Sequence, residues 1–246
     1  MATIAVYSVK GGVGKTTLAA NMAWCAAHQS RRQTLLWDLD AAGGGGYLLG
    51  VDADTRRSAQ KVIARERDPA KVIRQTAWER LDVLPADESI RLLDRQFGQL
   101  GKRRQLARIA GELAKTYERI VFDCPPVLNE VSQQVMRAAD LVIVPLPPSP
   151  LCTRAFDLVA DEVRAAGGKN HPPILPVLSM IDLRRSLHKE AREAAPDWPL
   201  IPAASAIEQC AVRREPVGAF APSSAGAKAF AGLWTAIERK LAAKRA

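Results

Sequence analysis

Short apolar runs and longer amphipathic stretches alternate along the whole chain. The runs rich in apolar and β-branched residues predict strands at residues 3–8, 34–38, 81–85, 119–123, 141–145, 174–180 and 200–201. Apolar positions three and four apart predict helices over 16–28, 100–115, 130–138 and 153–166, one before residue 200, one from residue 225, and short basic helices within 55–80. This alternation is typical of βαβ units. We therefore expect an α/β fold with a mostly parallel, twisted sheet flanked by helices, as a single domain over residues 1–246.

Four consecutive glycines, Gly43 to Gly46, follow the second predicted strand. Glycine loses more backbone entropy on folding than any other residue, and it disfavours helix and strand interiors. The run therefore predicts a mobile loop after Asp38 rather than a regular element.

The composition is that of a globular protein with an excess of basic residues. The 246 residues carry a formal net charge of +9, which favours an anionic partner such as nucleic acid or an acidic membrane surface. No apolar run approaches the roughly 20 residues of a membrane span, and the N-terminus lacks the pattern of a signal peptide. Four scattered cysteines argue against a disulfide framework or a zinc site and favour a reducing cytosol.

A glycine-rich turn stands between the first predicted strand and the helix after it. The turn reads Lys10-Gly11-Gly12-Val13-Gly14-Lys15-Thr16-Thr17. Flexible backbone, a cation and a hydroxyl at a helix N-terminus are what phosphate binding requires. Lys15 is expected to reach the β- and γ-phosphates, and Thr16 to bind Mg²⁺. The common G-x-x-x-x-G-K-[ST] pattern fails at its first glycine, where Val9 stands, and a second lysine, Lys10, follows.

This turn is similar to the deviant Walker A motif of the ParA/MinD ATPases, relatives of the nitrogenase iron protein. Other segments resemble family motifs in the same order, namely Asp38-Leu39-Asp40, residues 117–126 around Asp123, residues 139–146 and Glu215-Pro216-Val217. Residues 45–115 resemble the family weakly. The resemblance implies a P-loop NTPase fold of the deviant Walker A type, with ATP and Mg²⁺ as its cofactors.

The resemblance also implies roles for individual residues. The nucleotide would be bound by Gly11, Gly12, Val13, Gly14, Lys15, Thr16, Thr17 and Asp123, with Pro216 and Val217 near the base. Thr16 would bind Mg²⁺, and Asp123 would hold it through water. The catalytic residues would be Lys10, Lys15 and Asp40. Lys10 would reach the second subunit's nucleotide in an ATP-sandwiched homodimer. Asp40 would orient the attacking water. Asp38 would shape the loop, and as an alternative any strand-ending aspartate can cap the next helix.

The acidic pair departs from the family's usual Asp-Pro-Gln continuation. Here Asp40 is followed by Ala41 and Ala42, and then by the glycine run. Losing the proline and gaining glycines predicts a looser switch segment, which bears on the hydrolysis rate and on the response to partners.

Basic pairs in the C-terminal third are candidates for DNA contacts. ParA-like relatives bind DNA without sequence preference as ATP dimers, and by resemblance the contacts here would come from Arg184, Arg185, Arg213 and Arg214. Such contacts give affinity without base readout. The match is incomplete, because Ala203 stands where relatives often carry an arginine. A solvated surface is the alternative interpretation of each pair.

An apolar stripe over residues 230–241 admits two interpretations. MinD-like relatives bind membranes through an amphipathic C-terminal tail, and this stripe could lie in a bilayer interface. It could also be the last helix of the fold, packed on the core, which is the interpretation we favour. A membrane partner is accordingly not expected.

The resemblance implies a cytoplasmic, nucleoid-associated ATPase that dimerises on ATP and partitions or positions a cargo. Hydrolysis would be slow and stimulated by a partner protein of ParB or adaptor type. The alternative is a MinD-like spatial regulator bound to a membrane; a metallocluster-handling ATPase is disfavoured, because the cysteines are not paired. Since the glycine loop begins at residue 10, we expect no N-terminal helix-turn-helix domain.

Overall fold

The computed structural model describes residues 1–52, 59–66, 68–87, 90 and 104–243. The described strands are β1 Ala2–Val6, β2 Thr34–Asp38, β3 Arg74–Gln75, β4 Leu81–Leu84, β5 Arg119–Asp123, β6 Leu141–Leu146, β7 Ile174–Ile181 and β8 Leu200–Pro202. They form one sheet in the order β3-β4-β2-β5-β1-β6-β7-β8, and only the β3–β4 pair is antiparallel. The predicted α/β fold with a mostly parallel sheet is confirmed, and the predicted strand bounds differ from the observed ones by at most two residues.

Helices flank this sheet. They are α1 Lys15–His28, α2 Gly44–Leu48, α3 Ala59–Ile63, α4 Gln105–Leu113, α5 Glu130–Ala138, α6 Pro150–Gly167, α7 Ser186–Ala194, α8 Ser205–Arg213, α9 Val217–Phe220 and α10 Ala225–Ala243, with 3₁₀ turns at Pro69–Lys71 and Gly168–Asn170. Parts of the helices predicted over 55–80 and 100–115 lie outside the described residues. Within the described part of 55–80, Arg74–Gln75 form strand β3 rather than helix, so the prediction is wrong there. The hydrophobic pattern missed α8 because Cys210 is its one buried residue, and a helix with a single buried side chain has no apolar stripe to detect.

The core lies on both faces of the sheet. Every residue of β1, β2, β5 and β6 is buried, as expected for strands covered by helices on both sides. Alternate side chains of one strand enter different clusters. In β1, for example, Ala5 joins the cluster under α4, α5 and α6, whereas Ile4 and Val6 join the cluster under α1 and α10. The continuous apolar runs of the sequence therefore reflect burial on two sides.

The C-terminal helix α10 packs on this core. Its apolar stripe is buried, and the buried members include Phe230, Trp234 and Ile237. The Trp234 indole Nε1 donates a hydrogen bond to Ser30 Oγ at 2.7 Å. Of the two interpretations of this stripe, core packing is therefore the one confirmed. Among the described helices, none combines the length and the apolarity needed to span a bilayer.

A tight contact between α9 and α1 gives a stability prediction. A Cβ added at Gly218 would lie 2.2 Å from Cζ3 of Trp24, and the Trp24 ring is stacked on His28 with 4.5 Å between the centroids. Gly218→Ala should therefore lower the free energy of unfolding by about 1–3 kcal/mol through overpacking. The measurement is the urea midpoint at constant m-value.

A glycine on α10 provides the matched control. A Cβ added at Gly232 would meet no atom within 4 Å, so Gly232→Ala should raise the free energy of unfolding by about 0.5–1 kcal/mol through helix propensity alone. A Gly218→Ala protein as stable as Gly232→Ala would contradict the close approach of α9 to α1.

Candidate functional site

The glycine loop lies between β1 and α1, at the carboxyl edge of the parallel strands. Gly12 and Gly14 have φ angles of 72° and 89°, a region that glycine occupies without the steric penalty other residues carry. A Cβ added at Gly11 or Gly12 would meet no atom within 4 Å, so this part of the loop borders open space. No described side chain caps the N-terminus of α1, and its first turn contains no acidic residue. The amides and positive dipole end of α1 are therefore available to a phosphate.

Two lysines lie in this loop, and their ammonium groups have different surroundings. Lys15 is buried, and its Nζ donates to the carbonyl oxygen of Lys10 at 3.1 Å. Burial lowers the pKa of Lys15, while the carboxylates of Asp123 and Asp40 raise it. The Nζ of Lys10 lies 3.4 Å from the Cys152 Sγ at the start of α6. The loop thus holds one buried cation close to two acidic groups and a second cation beside the Cys152 sulfur.

The acidic groups come from two neighbouring strands. Asp38 ends β2, Asp123 ends β5, and the two residues are register partners. Asp123 is completely buried, and neither of its carboxylate oxygens has a hydrogen-bond partner of standard geometry among the described residues. Burial raises the pKa of Asp123 well above its usual range and the Asp38 carboxylate adds to the rise, whereas the Thr16 hydroxyl and the Lys15 ammonium oppose it.

A buried carboxylate with no hydrogen-bond partner of standard geometry among the described residues fits a magnesium site in this position. Burial penalises the ionised form of Asp123, and a divalent cation nearby would offset that penalty. The Asp123 carboxylate and the Thr16 hydroxyl are oxygen ligands of the kind Mg²⁺ prefers, directly or through water. These two residues are the ones the sequence predicted for Mg²⁺, and the structure brings them together.

Gly44–Gly46 are helical and Gly43 is the N-cap of that helix, so the prediction of a mobile loop over Gly43–Gly46 is wrong. Residues Gly44–Leu48 form α2, and the Asp38 Oδ2 accepts hydrogen bonds from the amides of Gly45 at 2.8 Å and Gly46 at 3.4 Å. A Cβ added at Gly45 would lie 3.0 Å from that oxygen, so glycine permits the approach. A buried carboxylate that caps the helix outweighs the poor helix propensity of glycine.

Asp38 therefore shapes the segment, as the resemblance implied, and it also positions Asp40. The Asp38 Oδ1 accepts from the Asp40 amide at 3.0 Å. Burial raises the pKa of Asp38 to about 7, while these backbone hydrogen bonds lower it. The Asp40 Oδ1 accepts from the Ala42 amide at 3.1 Å, and its carbonyl oxygen accepts from Gly43 at 2.8 Å. The sequence after Asp40 thus forms a hydrogen-bonded turn.

A cavity of about 370 Å³ adjoins the glycine loop, and sequence reasoning missed it. Its lining includes Gly14, Thr17, Met180, Arg185 and Pro202. These residues come from the start of α1 and from the carboxyl ends of β7 and β8, where ligands of parallel sheets commonly bind. The sequence signal that could have indicated this cavity was the position of its residues directly after predicted strands. The volume and apolar lining of the cavity suit the base or ribose of a nucleotide.

The predicted base-binding pair, Pro216 and Val217, does not line this cavity. Val217 is completely buried, and its amide donates to the Asn21 Oδ1 at 2.9 Å. The Asn21 Nδ2 in turn donates to the Thr17 carbonyl at 2.8 Å. The pair therefore contacts α1 one turn beyond the glycine loop, and its role towards the base stays a prediction. Asn21, a buried polar residue on an otherwise apolar helix face, is a further residue that the sequence analysis overlooked.

Two of the four arginines predicted to bind DNA lie after β7. Arg184 is 90% exposed and forms a bidentate ion pair with Asp182, with Nε and Nη2 at 2.8 and 2.9 Å from its oxygens. This arginine holds the pKa of Asp182 down to about 2. Arg185 is exposed and lines the cavity beside the glycine loop. Both guanidinium groups belong to the same surface loop.

The other two arginines end α8 and have different environments. Arg213 is exposed and lies over the Phe220 ring, 4.8 Å from its centroid. Arg214 lies over the Tyr47 ring at 4.5 Å and forms an ion pair with Asp52 at 2.7 Å. Arg213 therefore lies on the surface, whereas Arg214 contacts Tyr47 of α2 and Asp52 after it. All four DNA contacts remain predictions.

A glycine loop, a buried lysine and a buried carboxylate at the carboxyl edge of a parallel sheet define a P-loop nucleotide-binding protein. Comparison with known proteins narrows the class. A family model described as AAA domain matches residues 1–167. The chromosome partitioning protein ParA of Caulobacter vibrioides is 31% identical over 194 residues, which cover 76% of this chain and 72% of that protein. The chain belongs to the ParA/MinD family of P-loop ATPases.

Two further similarities extend over nearly the full chain. The sporulation initiation inhibitor protein Soj of Bacillus subtilis is 26% identical over 244 residues, covering 94% of this chain and 95% of that protein. The septum site-determining protein MinD of Pyrococcus horikoshii OT3, solved in complex with Mg-ADP, superimposes with a TM-score of 0.79 at 25% identity, covering 100% of this chain and 98% of that one. The similarity therefore includes the C-terminal part that the family model does not reach.

Proposed function

We propose that this chain binds ATP and Mg²⁺ at the glycine loop, dimerises around the nucleotide, and as the ATP-bound dimer binds DNA without sequence preference to position a cargo. The observation that carries the proposal is the buried Asp123 carboxylate, which has no hydrogen-bond partner of standard geometry among the described residues and lies beside Lys15 and Thr16. The Mg-ADP complex of the related MinD and the name of the related ParA support it.

The proposed chemistry assigns one task to each part of the site. The loop amides and Lys15 bind the β- and γ-phosphates, and Thr16 and Asp123 hold Mg²⁺. When bound, Mg²⁺ supplies positive charge that neutralises the phosphate oxygens. The Asp40 carboxylate, fixed through Asp38, orients the water that attacks the γ-phosphorus, and the bond to the β-phosphate oxygen breaks to leave ADP and phosphate.

Lys10 is the proposed link between the two subunits. Its ammonium lies against the Cys152 thiol, which is a weak acceptor. Exchanging that contact for the phosphates of a second subunit's nucleotide replaces a weak partner with a charged one. Dimerisation would thus be coupled to ATP, since without the γ-phosphate the ammonium gains less from leaving Cys152.

The proposed DNA surface uses the exposed arginines and the net charge of +9. Two copies of Arg184, Arg185 and Arg213 in one dimer neutralise twice as many phosphates as one chain does. The logarithm of DNA affinity falls with log salt by about 0.9 per phosphate contact, so the dimer's slope should be roughly twice that of the monomer. A partner protein of ParB or adaptor type would stimulate hydrolysis and release the DNA. The location would be the nucleoid.

The test is DNA binding in ATP and in ADP over a salt series. Wild-type protein with ATP should bind random-sequence duplex tightly at low salt and weakly at physiological salt, and with ADP it should bind less at every concentration. Arg213→Glu should weaken binding and reduce the slope by roughly 2, one contact in each subunit of the dimer. Fluorescence anisotropy of a labelled duplex measures both quantities.

Arg164→Glu is the matched control, because it makes the same charge change on α6, where Arg164 is 63% exposed and paired with Asp161. It should leave the salt slope within about half a contact of wild type. Equal DNA affinity in ATP and ADP, or equal slopes for the two variants, would contradict the proposed DNA surface.

A further inference from the structure

Arg214 has a backbone conformation that is unfavourable for its residue type. Its φ and ψ are 59° and 39°, in the left-handed region, where it forms the C-cap of α8. Glycine is the usual residue at such a helix end, because a Cβ is penalised there. An arginine held in this conformation points to a use for its side chain.

That side chain makes three contacts with the segment from α2 to Asp52. The guanidinium lies 4.5 Å from the centre of the Tyr47 ring, and the Nε donates to the Tyr47 carbonyl at 3.2 Å. The Nη2 and Nη1 donate to the two Asp52 oxygens at 2.7 and 3.3 Å. Bidentate pairing fixes the orientation of a guanidinium more strictly than a single contact does. Arg214 therefore holds the C-terminal end of α2.

The helix that Arg214 contacts, α2, would not be stable on its own. α2 has five residues, of which three are glycines, and isolated helices much longer than this are marginal in water. Its amino end is fixed by the Asp38 carboxylate at Gly45 and Gly46. Its carboxyl end is fixed by Arg214. The same Asp38 carboxylate binds the Asp40 amide at 3.0 Å, so a continuous set of contacts runs from Arg214 to Asp40.

We propose that Arg214, with Asp52 as its partner, is a positioning residue for ATP hydrolysis. By holding α2 against the end of α8, it keeps the Asp38 carboxylate, and through it Asp40, in the arrangement that orients the attacking water. This inference rests on the proposed role of Asp40. In this proposal Arg214 contacts residues of its own chain, whereas its neighbour Arg213 is the proposed DNA contact.

The test compares Arg214→Gly with a matched arginine. Glycine suits the left-handed backbone, so this variant removes the side chain without adding strain. The kcat for ATP, measured without DNA, should fall on the order of tenfold, which lies within the range for contacts that act at a distance. The KM for ATP should change less than the kcat, because the glycine loop is untouched. Asp52→Asn should lower kcat in the same direction.

Arg80→Gly is the control. Arg80 also has a left-handed φ, of 62°, is 34% exposed against 30% for Arg214, and forms an ion pair with Glu79 at 2.8 Å. Arg80 directly precedes β4, at the amino end of that strand, whereas the glycine loop lies at the carboxyl ends of the parallel strands. Loss of the Arg80 side chain should therefore leave kcat unchanged. Hydrogen exchange gives a second readout, since the Gly45 and Gly46 amides should exchange faster in Arg214→Gly and at the wild-type rate in Arg80→Gly.

The outcomes separate this inference from the proposed function. One outcome is that wild type hydrolyses ATP, Asp40→Ala does not, and Arg214→Gly has the same kcat as Arg80→Gly. That result would overturn the positioning role of Arg214 and leave the proposed ATPase site supported. A wild type without ATPase activity would overturn the proposed function and this inference together. A tenfold loss of kcat with faster exchange at Gly45 and Gly46 supports the inference.

Discussion

Lys15→Ala should weaken ATP binding at least about a hundredfold while the protein stays folded. Lys15 is 7% exposed, and it supplies the buried cation beside the glycine loop. A hydrogen bond to a charged group contributes up to about 3 kcal/mol, and electrostatic contacts strengthen where water is excluded. Because a tenfold change in affinity corresponds to about 1.4 kcal/mol, the loss of this one group exceeds two orders of magnitude. Titration calorimetry with Mg-ATP measures it.

Lys10→Ala is the matched control for this loss of charge. The side chain of Lys10 contacts Cys152 rather than pointing into the loop, so the isolated chain should bind ATP within a few-fold of wild type. Circular dichroism establishes that both variants are folded. A folded Lys15→Ala protein that binds ATP as tightly as Lys10→Ala would refute the assignment of the phosphate site.

Asp40→Ala should lower the hydrolysis rate by about 10²–10⁴, the range for loss of a group that handles the attacking nucleophile. ATP binding should persist, because Asp40 lies after β2 and outside the glycine loop. The variant should therefore accumulate in the ATP-bound dimer, whereas Lys10→Ala should lose hydrolysis and the stable dimer together. Single-turnover phosphate release measures the rate, and an Asp40→Ala protein with wild-type turnover would remove Asp40 from the catalytic residues.

The sheet and the glycine loop were predictable from the sequence, because the responsible signals are local. β1, β5 and β6 are buried on both faces, and such strands appear as continuous apolar runs. The glycines and Lys15 are contiguous, so their joint chemistry is visible without any tertiary information. The adjacent positions of Asp38 and Asp123 on β2 and β5 were not predicted, because strand order is a tertiary property.

The glycine run shows where local reasoning fails. Glycine's low helix propensity correctly indicates that Gly44–Gly46 would not form a helix alone. In the folded chain, hydrogen bonds to the Asp38 carboxylate at one end and from Arg214 at the other stabilise the helix. Arg214 is 167 residues from Tyr47 in the sequence, and the Asp38 carboxylate, although only seven residues before Gly45, acts as a cap only because it is buried in the folded sheet. The cavity at Met180 and Arg185 also escaped, since its lining comes from segments that are far apart in the sequence.

The most direct test of the whole account is the mass of the Asp40→Ala protein in solution, measured by sedimentation with Mg-ATP and with Mg-ADP. The account predicts twice the 26.7 kDa of one chain in Mg-ATP and a single-chain mass in Mg-ADP. The Lys15→Ala/Asp40→Ala double variant should remain a single chain in both nucleotides. The same mass for Asp40→Ala in ATP and in ADP would contradict the claim that ATP drives this protein between two states.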